Sequence, residues 1–242
     1  MNLVIDQGNT FTKIAIFDTA GLIHVQQYTE INISLIQQYL NEYTIKSGIL
    51  ASVKDIDQEV LLFLHSKIHH FIEMDQNTEL PFTIAYKTPE TLGRDRVAAV
   101  AGVFENNKGK NCLVIDAGTA ITYDFLDASG VYQGGNIAPG LDMRLKALHH
   151  FTGKLPLVTP DGDLPFLGYN TDTAIRSGVM QGIFYEINGY IQDLQHKYPD
   201  LLVFLTGGSI KYFEDRVKSP IFADNNIVLK GLNCIIKYNA KL

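Results

Sequence analysis

Two aspartates occupy the same place in two copies of one sequence pattern. Asp6 follows the apolar run Leu3-Val4-Ile5 and Asp116 follows Leu113-Val114-Ile115, so the aspartates lie 110 positions apart (116 − 6). In each copy a glycine comes two residues after the aspartate and a second alternating segment follows. Each copy predicts a β-hairpin whose tight loop presents backbone N–H groups and a small hydroxyl beside a carboxylate. Two such loops facing each other would suit a nucleotide triphosphate, with the carboxylates serving its cations.

The first copy reads Asp6-x-Gly8-x-Thr10, and its Gly8 and Asn9 tolerate the positive φ angles that let N–H groups converge on phosphate oxygens. Lys13 either adds positive charge to this site or faces solvent through the alternation of its strand. An ordinary hairpin turn also favours Asp, Asn and Gly, and for one copy alone that interpretation would be preferred. The presence of a second copy favours phosphate binding.

The second copy reads Asp116-x-Gly118-Thr119. A carboxylate at the end of a strand, beside backbone carbonyls and hydroxyls, suits a hard cation with oxygen ligands. Asp124 and Asp127 follow within the same hairpin, and we expect them to close it or to face water. Asp116 is therefore the preferred cation ligand.

The segment Gly93-Arg94-Asp95-Arg96 begins a strongly apolar helix expected over 91–104. Asp95 has two interpretations: an N-cap of that helix, or a carboxylate base whose ionised form the helix dipole favours. Arg96 could hold an anionic substrate group through paired hydrogen bonds. Both interpretations of Asp95 stay open on the sequence alone.

Two further glycine-rich segments are candidates for close approach of a ligand or another backbone. The segment 134–140, Gly-Gly-Asn-Ile-Ala-Pro-Gly, is expected to be a loop, and a tight turn before a helix explains it equally well. Thr206-Gly207-Gly208 follows an apolar strand and has the form of a phosphate or adenosine contact. The sequence has no Gly-x-Ser-x-Gly, Walker A or Gly-x-Gly-x-x-Gly motif, and its histidines lack a zinc pattern.

Composition describes an ordinary globular protein. Of 242 residues, 46% are hydrophobic and 19% charged, and the net charge of −6 disfavours nonspecific nucleic-acid binding. We expect neither a membrane span nor a signal peptide, because no apolar run is long enough and the first residues lack a basic segment. Cys112 and Cys234 are expected to be buried thiols. These features predict a cytoplasmic protein that handles metabolites.

Both halves are expected to begin with hairpin strands and to continue with alternating helices and strands, which indicates an α/β fold. The polar segment 105–111 is the candidate boundary, giving domains 1–109 and 110–242. Beyond the hairpins, we expect strands at 22–26, 48–53, 82–86, 131–133, 201–205 and near 227, and helices at 31–43, 55–66, 91–104, 141–151, 171–198 and 232–238.

Six motifs in this order across nearly the whole chain resemble the type III pantothenate kinase family: Asp6-Gln-Gly-Asn-Thr10-x-x-Lys13, Gly93-x-Asp95-Arg96, Asp116-x-Gly118-Thr119-Ala120, Gly134-Gly135-x-Ile137-x-Pro139-Gly140, Asn170-Thr171-x-x-Ala174-Ile175-x-Ser177-Gly178 and Thr206-Gly207-Gly208. That family belongs to the acetate kinase, sugar kinase, Hsp70 and actin superfamily. The resemblance implies two duplicated ribonuclease H-like domains of the actin type, with nucleotide in the cleft between them and a dimer interface in the second.

The resemblance also implies ATP-dependent phosphorylation of pantothenate to 4'-phosphopantothenate, the first step of coenzyme A biosynthesis, in a homodimer. It makes Asp95 the proton acceptor and Asp116 a ligand of a monovalent cation, K⁺ or NH₄⁺, beside ATP with Mg²⁺. It assigns ATP binding to Asp6, Gln7, Gly8, Asn9, Thr10, Phe11, Thr12, Lys13 and Thr119. It assigns pantothenate binding to Tyr86, Gly93, Arg94, Asp95, Arg96 and Thr171.

Two alternatives to this function remain. One is a catalytically weak, nucleotide-binding accessory regulator, and the other is a small-molecule kinase with another acceptor. The acidic charge and the absence of a recognisable helix-turn-helix argue against direct DNA contact. The joint presence of Asp6, Asp95 and Asp116 favours catalysis.

Overall fold

The structure, a computed structural model, describes residues 1–217 and 219–240. These residues form two compact units. The first comprises 1–108, 130–132 and 226–240, and the second comprises 109–129, 133–217 and 219–225. Relative to the division expected at 109/110, the segments 130–132 and 226–240 fall in the first unit.

The first unit contains a five-stranded sheet in the order β3-β2-β1-β4-β5. Its first three strands form an antiparallel meander, and β4 and β5 add to it in parallel. The strands are β1 (Asn2–Gln7), β2 (Thr12–Phe17), β3 (Leu22–Tyr28), β4 (Ser47–Ser52) and β5 (His70–Glu73), with helices α1 (Ile33–Glu42) and α2 (Gln58–Lys67).

The central strand β1 is buried on both faces, which explains its continuous apolar run. Leu3 and Ile5 belong to a core with residues of α1 and α2, while α6 (Ile227–Asn239) contacts β1 and β4. Sequence reasoning placed a short strand near Ile227, and this was wrong, since Ile227 is the first residue of α6. Every residue from Gly231 to Ile236 is buried, so this part of the helix is enclosed on all sides.

Helix α3 (Arg94–Phe104) packs closely against α6 through small residues. A Cβ at Gly102 would collide with the carbonyl of Ile227, and one at Gly231 would collide with the carbonyl of Ala98. This contact fixes α3 within the first unit, and the N-terminal turn of α3 carries Asp95. The short strand β6 (Thr83–Ile84) pairs with 131–132, the start of β9 (Val131–Pro139).

The second unit repeats the hairpin within a sheet ordered β11-β10-β7-β8-β9. The strands β7 and β8 are antiparallel, while β10 runs parallel to β7. The remaining elements are β7 (Cys112–Ala117), β8 (Ala120–Leu126), α4 (Leu141–His150), α5 (Thr171–Lys197), β10 (Leu202–Thr206) and β11 (Phe222–Ala223).

The segment 134–140 is not a loop, contrary to the expectation, because β9 continues through its two glycines to Pro139. Gly140 then caps α4 without an intervening turn. The core of this unit lies between one face of the sheet and α5, with Ile183 and Ile187 fully buried. None of the helices in the described residues combines the length and the apolar character that a membrane span requires.

Candidate active site

Asp6 lies at the end of β1, directly opposite Lys13 on β2. Burial raises the pKa of Asp6 to about 6, with Lys13 acting to lower it and Asp95 acting to raise it. The three charged side chains, Asp6, Lys13 and Asp95, therefore form one electrostatic cluster in the first unit. Lys13 is only half-exposed and faces the same side of the hairpin as Asp6, so the alternation of the strand keeps it at the site.

The loop between β1 and β2 is closed by a hydrogen bond from the Gly8 N–H to the Phe11 carbonyl at 3.0 Å. Gln7 anchors its base, because the Gln7 Oε1 accepts from the Ser52 hydroxyl at 2.8 Å and the Gln7 carbonyl accepts from the Val53 N–H at 3.1 Å. Residues 9–11 at the tip are exposed. The loop is thus fixed at its base and accessible at its tip, as binding of phosphate requires.

Thr12 is fully buried, and its Oγ1 has no hydrogen-bond partner among the described residues. An unsatisfied buried hydroxyl typically costs about 1–3 kcal/mol. Its position opposite Gln7, at the first residue of β2, is within the segment expected to bind ATP. A polar atom left unsatisfied there fits a segment that binds a ligand.

Asp95 is the second residue of α3, and Gly93 occupies the N-cap. The N-cap interpretation of Asp95 was therefore wrong by two positions. Its Oδ1 accepts from the Arg96 backbone N–H at 2.9 Å, within the first helical turn. The ionised carboxylate keeps lone pairs for a further donor.

Arg96 and Tyr86, both expected to contact substrate, lie together in the first unit. The Arg96 side chain is only 4% exposed, and its guanidinium lies 5.9 Å from the centroid of the Tyr86 ring. This is a cation–π distance, and the contact restrains the guanidinium beside the ring. Arg94 instead reaches over the preceding segment, 3.4 Å from the Pro89 carbonyl and 3.4 Å from Gln76 Oε1.

In the second unit, Asp116 lies at the end of β7 between Thr122 on β8 and Thr206 on β10. Gly207 has a φ of +104°, and a Cβ added there would lie 2.5 Å from Asp116 Oδ1. Only glycine fits this backbone conformation and this close approach. The Thr-Gly-Gly segment therefore packs directly against the candidate cation ligand.

Asp124 was expected to close the hairpin or face water, and that expectation was wrong. It is fully buried and accepts from the Thr122 hydroxyl at 2.9 Å. The reason is alternation, since Asp116, Thr122 and Asp124 share the face of the hairpin opposite the apolar core. Asp127 does close the following turn, accepting from the Ser129 N–H at 2.9 Å.

Thr119, the second expected phosphate contact, is exposed at the tip of the β7–β8 loop. The loop is closed by the Gly118 N–H donating to the Ala120 carbonyl at 3.1 Å. Gly140 supports it from behind, because its N–H donates to the Thr119 carbonyl at 3.1 Å and a Cβ there would collide with Gly118 and Thr119. Sequence reasoning quoted Gly140 in a motif and did not find that its partner is the hairpin loop.

Thr171 is exposed at the first turn of α5. Asn170 and Thr173 form the capping box of this helix, with the Asn170 Oδ1 accepting from the Thr173 N–H at 2.9 Å. Asn170 and Thr173, and not Thr171, therefore form the N-terminal cap of α5. The position accords with a ligand contact at the start of the helix.

The described residues contain no group of three or more His, Cys, Asp or Glu side chains that could hold a metal ion. A single carboxylate such as that of Asp116, which lies opposite Thr122 and Thr206 on the neighbouring strands, suits a hard cation that takes its other ligands from carbonyls or phosphates. The donor set accords with K⁺, NH₄⁺ or nucleotide-bound Mg²⁺.

Solved structures show which class this fold belongs to. A Campylobacter jejuni protein provisionally described as a conserved Baf family transcriptional activator matches with a TM-score of 0.64 at 23% identity, covering 99% of this chain and 100% of that one. A glucokinase from an Antarctic psychrotroph matches with a TM-score of 0.53 at 13% identity, covering 98% of each chain. Two units built on the same β-hairpin, with these neighbours, define an α/β protein of the sugar kinase, actin and Hsp70 type.

The family model described as type III pantothenate kinase matches residues 2–193. Type III pantothenate kinase of Bacteroides fragilis (strain YCH46) is 51% identical over 239 residues, which cover 99% of this chain and 98% of that protein. Its counterpart in Phocaeicola vulgatus is 48% identical over 242 residues, covering all of both chains. The chain belongs to the type III pantothenate kinase family.

Proposed function

We propose that the protein transfers the γ-phosphoryl group of ATP to the primary hydroxyl of pantothenate, giving 4'-phosphopantothenate and ADP at the start of coenzyme A biosynthesis. Full-length similarity to type III pantothenate kinases supports the reaction. The observation that carries the mechanism is the pair of Asp6 and Lys13 at the loop end of the first hairpin, with Asp95 near enough to raise the pKa of Asp6. It combines a basic group for phosphate with a carboxylate for the acceptor.

Asp95 is the proposed proton acceptor. The pantothenate oxygen forms a bond to the γ-phosphorus, the bond from that phosphorus to the β–γ bridging oxygen breaks, and the hydroxyl proton passes to the Asp95 carboxylate. An alcohol is a far weaker acid than a carboxylic acid, so Asp95 orients the hydroxyl and takes its proton late, as a loose transition state allows. Its hydrogen bond from the Arg96 N–H fixes one oxygen and leaves the other for substrate.

ATP is held in this proposal by the segment from Asp6 to Lys13 and by Thr119. The backbone N–H groups of the two hairpin loops bind phosphate oxygens, and Lys13 neutralises part of their charge. Mg²⁺ on the phosphates and a monovalent cation at Asp116 would stabilise the negative charge of the transferring group. The position of Asp116 at the end of its strand, between Thr122 and Thr206, supports the second of these assignments.

Pantothenate is proposed to contact Tyr86, the segment 93–96 and Thr171. The pantothenate carboxylate is a suitable partner for the Arg96 guanidinium, which the Tyr86 ring already orients. Arg94 lies over the preceding segment and is better placed to shape the site than to bind through its side chain.

A homodimer is the proposed assembly, and the exposed face of α5 supports it. Cβ atoms added at Gly178, Gly182 and Gly189 would meet nothing within 4 Å, so that this face is open and lined by small residues. The segment before α5 packs against it where Gly168 meets Ala174, and it exposes the large side chains of Phe166, Leu167 and Tyr169. On α5 itself Tyr185 is exposed. Such a surface is typical of an interface between protomers. We also propose a cytoplasmic location, which the buried thiols of Cys112 and Cys234 support.

The test is phosphate transfer from ATP to pantothenate by the purified protein with Mg²⁺, in K⁺ and in Na⁺ buffer. Phosphopantothenate formed in K⁺, with lower activity in Na⁺, is the expected result. Turnover without any cation preference would contradict the role of Asp116. Nucleotide binding without product from a folded protein would instead support a regulator or another acceptor.

Asp95→Asn tests the base. We expect kcat to fall by about 10²- to 10⁴-fold, the usual contribution of general base catalysis, while ATP binding is retained. Asp142→Asn is the matched control, because Asp142 is also the second residue of a helix capped by glycine and is exposed. A normal kcat in Asp95→Asn would refute the assignment.

A further inference from the structure

A chain of polar contacts in the second unit connects the middle of α5 to the start of α4. The Tyr123 hydroxyl donates to Glu186 Oε1 at 2.7 Å. Glu186 Oε2 accepts from the Arg144 guanidinium at 2.7 Å, and Arg144 Nε donates to the Pro139 carbonyl at 2.7 Å. One strand residue and two helix residues thus act together on the last residue of β9.

The chain ends at the loop that carries Thr119. Pro139 directly precedes Gly140, whose N–H donates to the Thr119 carbonyl and whose backbone leaves no room for a Cβ beside Gly118 and Thr119. Arg144 holds this pair twice, since its side chain binds the Pro139 carbonyl and its N–H donates to the Gly140 carbonyl at 3.0 Å. A displacement of Pro139 would therefore move Gly140, whose N–H binds the Thr119 carbonyl.

The contacts are of a strong and directional kind. Arg144 and Glu186 are only 21% and 26% exposed, so their ion pair is partly shielded from water. Tyr123 is buried, and its burial together with the Glu186 contact raises the pKa of its hydroxyl, which stays a donor. The Tyr190 ring lies against it with 4.1 Å between centroids. The planar guanidinium of Arg144 donates to a carboxylate and to a carbonyl at the same time. A lysine ammonium lacks this fixed pair of donors.

We propose that Arg144, Glu186 and Tyr123 are positioning residues for the nucleotide, which act through Pro139 and Gly140 to set the Thr119 loop in the geometry that binds the ATP phosphates. The inference rests on the proposed function in one respect, that Thr119 contacts ATP. It assigns no contact with either substrate to the three residues themselves. A merely structural role would lower stability without changing the affinity for nucleotide.

The experiment compares Arg144→Met, which keeps the length of the side chain, with Lys146→Met, which removes the same charge from an exposed position on the same helix. The measurement is the calorimetric Kd for Mg²⁺-ATP without pantothenate, together with the KM of each substrate. We expect Arg144→Met to weaken ATP binding roughly 2- to 30-fold, the usual range for residues remote from a ligand. The KM for pantothenate should stay unchanged, and Lys146→Met should match the parent protein. Equal Kd values for the two variants would overturn the proposal.

Two further variants keep the test decisive if Arg144→Met folds poorly. Arg144→Lys retains the charge and should give an intermediate loss, while Tyr123→Phe removes only the donor to Glu186. Combined with Arg144→Met, Tyr123→Phe should add no further loss, because both act along one chain of contacts. Additive effects on Kd would contradict a shared chain. Since Kd is measured without an acceptor, failure of the pantothenate assay and failure of this proposal are separate results.

Discussion

Asp6→Asn should make the protein more stable and inactive at once. The ionised carboxylate is unfavourable where it lies, because burial and Asp95 together raise its pKa more than Lys13 lowers it. The amide has nearly the same shape and carries no charge. Removing the charge therefore stabilises the folded state. The same change removes a carboxylate from the proposed nucleotide site.

The magnitude follows from the shift in pKa, from 3.8 to about 6. At 1.36 kcal/mol per pH unit, the ionised group destabilises the folded protein by about 3 kcal/mol at pH 8. A raised pKa favours the folded state at low pH, and that advantage is lost as the pH rises through about 6. The gain from Asp6→Asn should accordingly shrink as the pH falls below about 6 and be small at pH 4, near the ordinary pKa of the carboxyl.

The assay is urea unfolding and thermal unfolding of both proteins at pH 8, 5 and 4, without nucleotide and with EDTA. For a chain of this size, about 3 kcal/mol corresponds to a rise of about 6–12 °C in Tm at pH 8. Asp142→Asn, which removes an exposed carboxylate, should change little at any pH. A gain that is absent at pH 8, or that is the same at pH 4, would refute the reasoning.

Three more substitutions test separate parts of the site. Arg96→Lys should raise the KM for pantothenate about tenfold or more with little change in the KM for ATP, because an ammonium cannot form the paired contact, and steady-state kinetics would show this. Gly207→Ala should lower stability by about 1–3 kcal/mol in urea and weaken K⁺ activation, since its φ of +104° and its contact with Asp116 exclude a Cβ. Gly178→Arg should convert a dimer to a monomer by light scattering, with Gly178→Ala as control, because arginine itself favours the helix. A dimeric Gly178→Arg protein would place the interface elsewhere.

Local signals in the sequence were sufficient for the two hairpins and for the long helices. The alternation after Asp6 and Asp116 and the helical spacing of α5 appear in the structure at nearly the expected bounds. These elements have short-range patterns that tertiary contacts reinforce. The family, the fold and the kinase class followed from motifs within them.

Elements that depend on distant partners were predicted less well. Sequence reasoning ended a strand before Gly134, since glycine is unfavourable in strands, but the pairing of β9 within its sheet overrides this local preference. Ile227 was assigned to a strand because a short apolar run does not distinguish the two-residue repeat of a strand from the 3.6-residue repeat of a helix. In the structure Ile227 begins α6, which contact with α3 stabilises. Asp124 was placed at the surface because nothing local shows that both faces of its strand are covered.

The same limit applies to the glycine motifs, which the structure shows to be partners of one loop. Gly207 lies against Asp116 and Ala117, and Gly140 lies against Gly118 and Thr119, so two distant segments close the β7–β8 loop by direct backbone contact. Backbone contacts of this kind allow less adjustment than side-chain contacts, because neither partner has rotamers to change. The proposed cation ligand, Asp116, and the proposed phosphate contact, Thr119, thus lie on one tightly packed hairpin. Substitutions at either glycine should therefore weaken nucleotide binding and cation activation together.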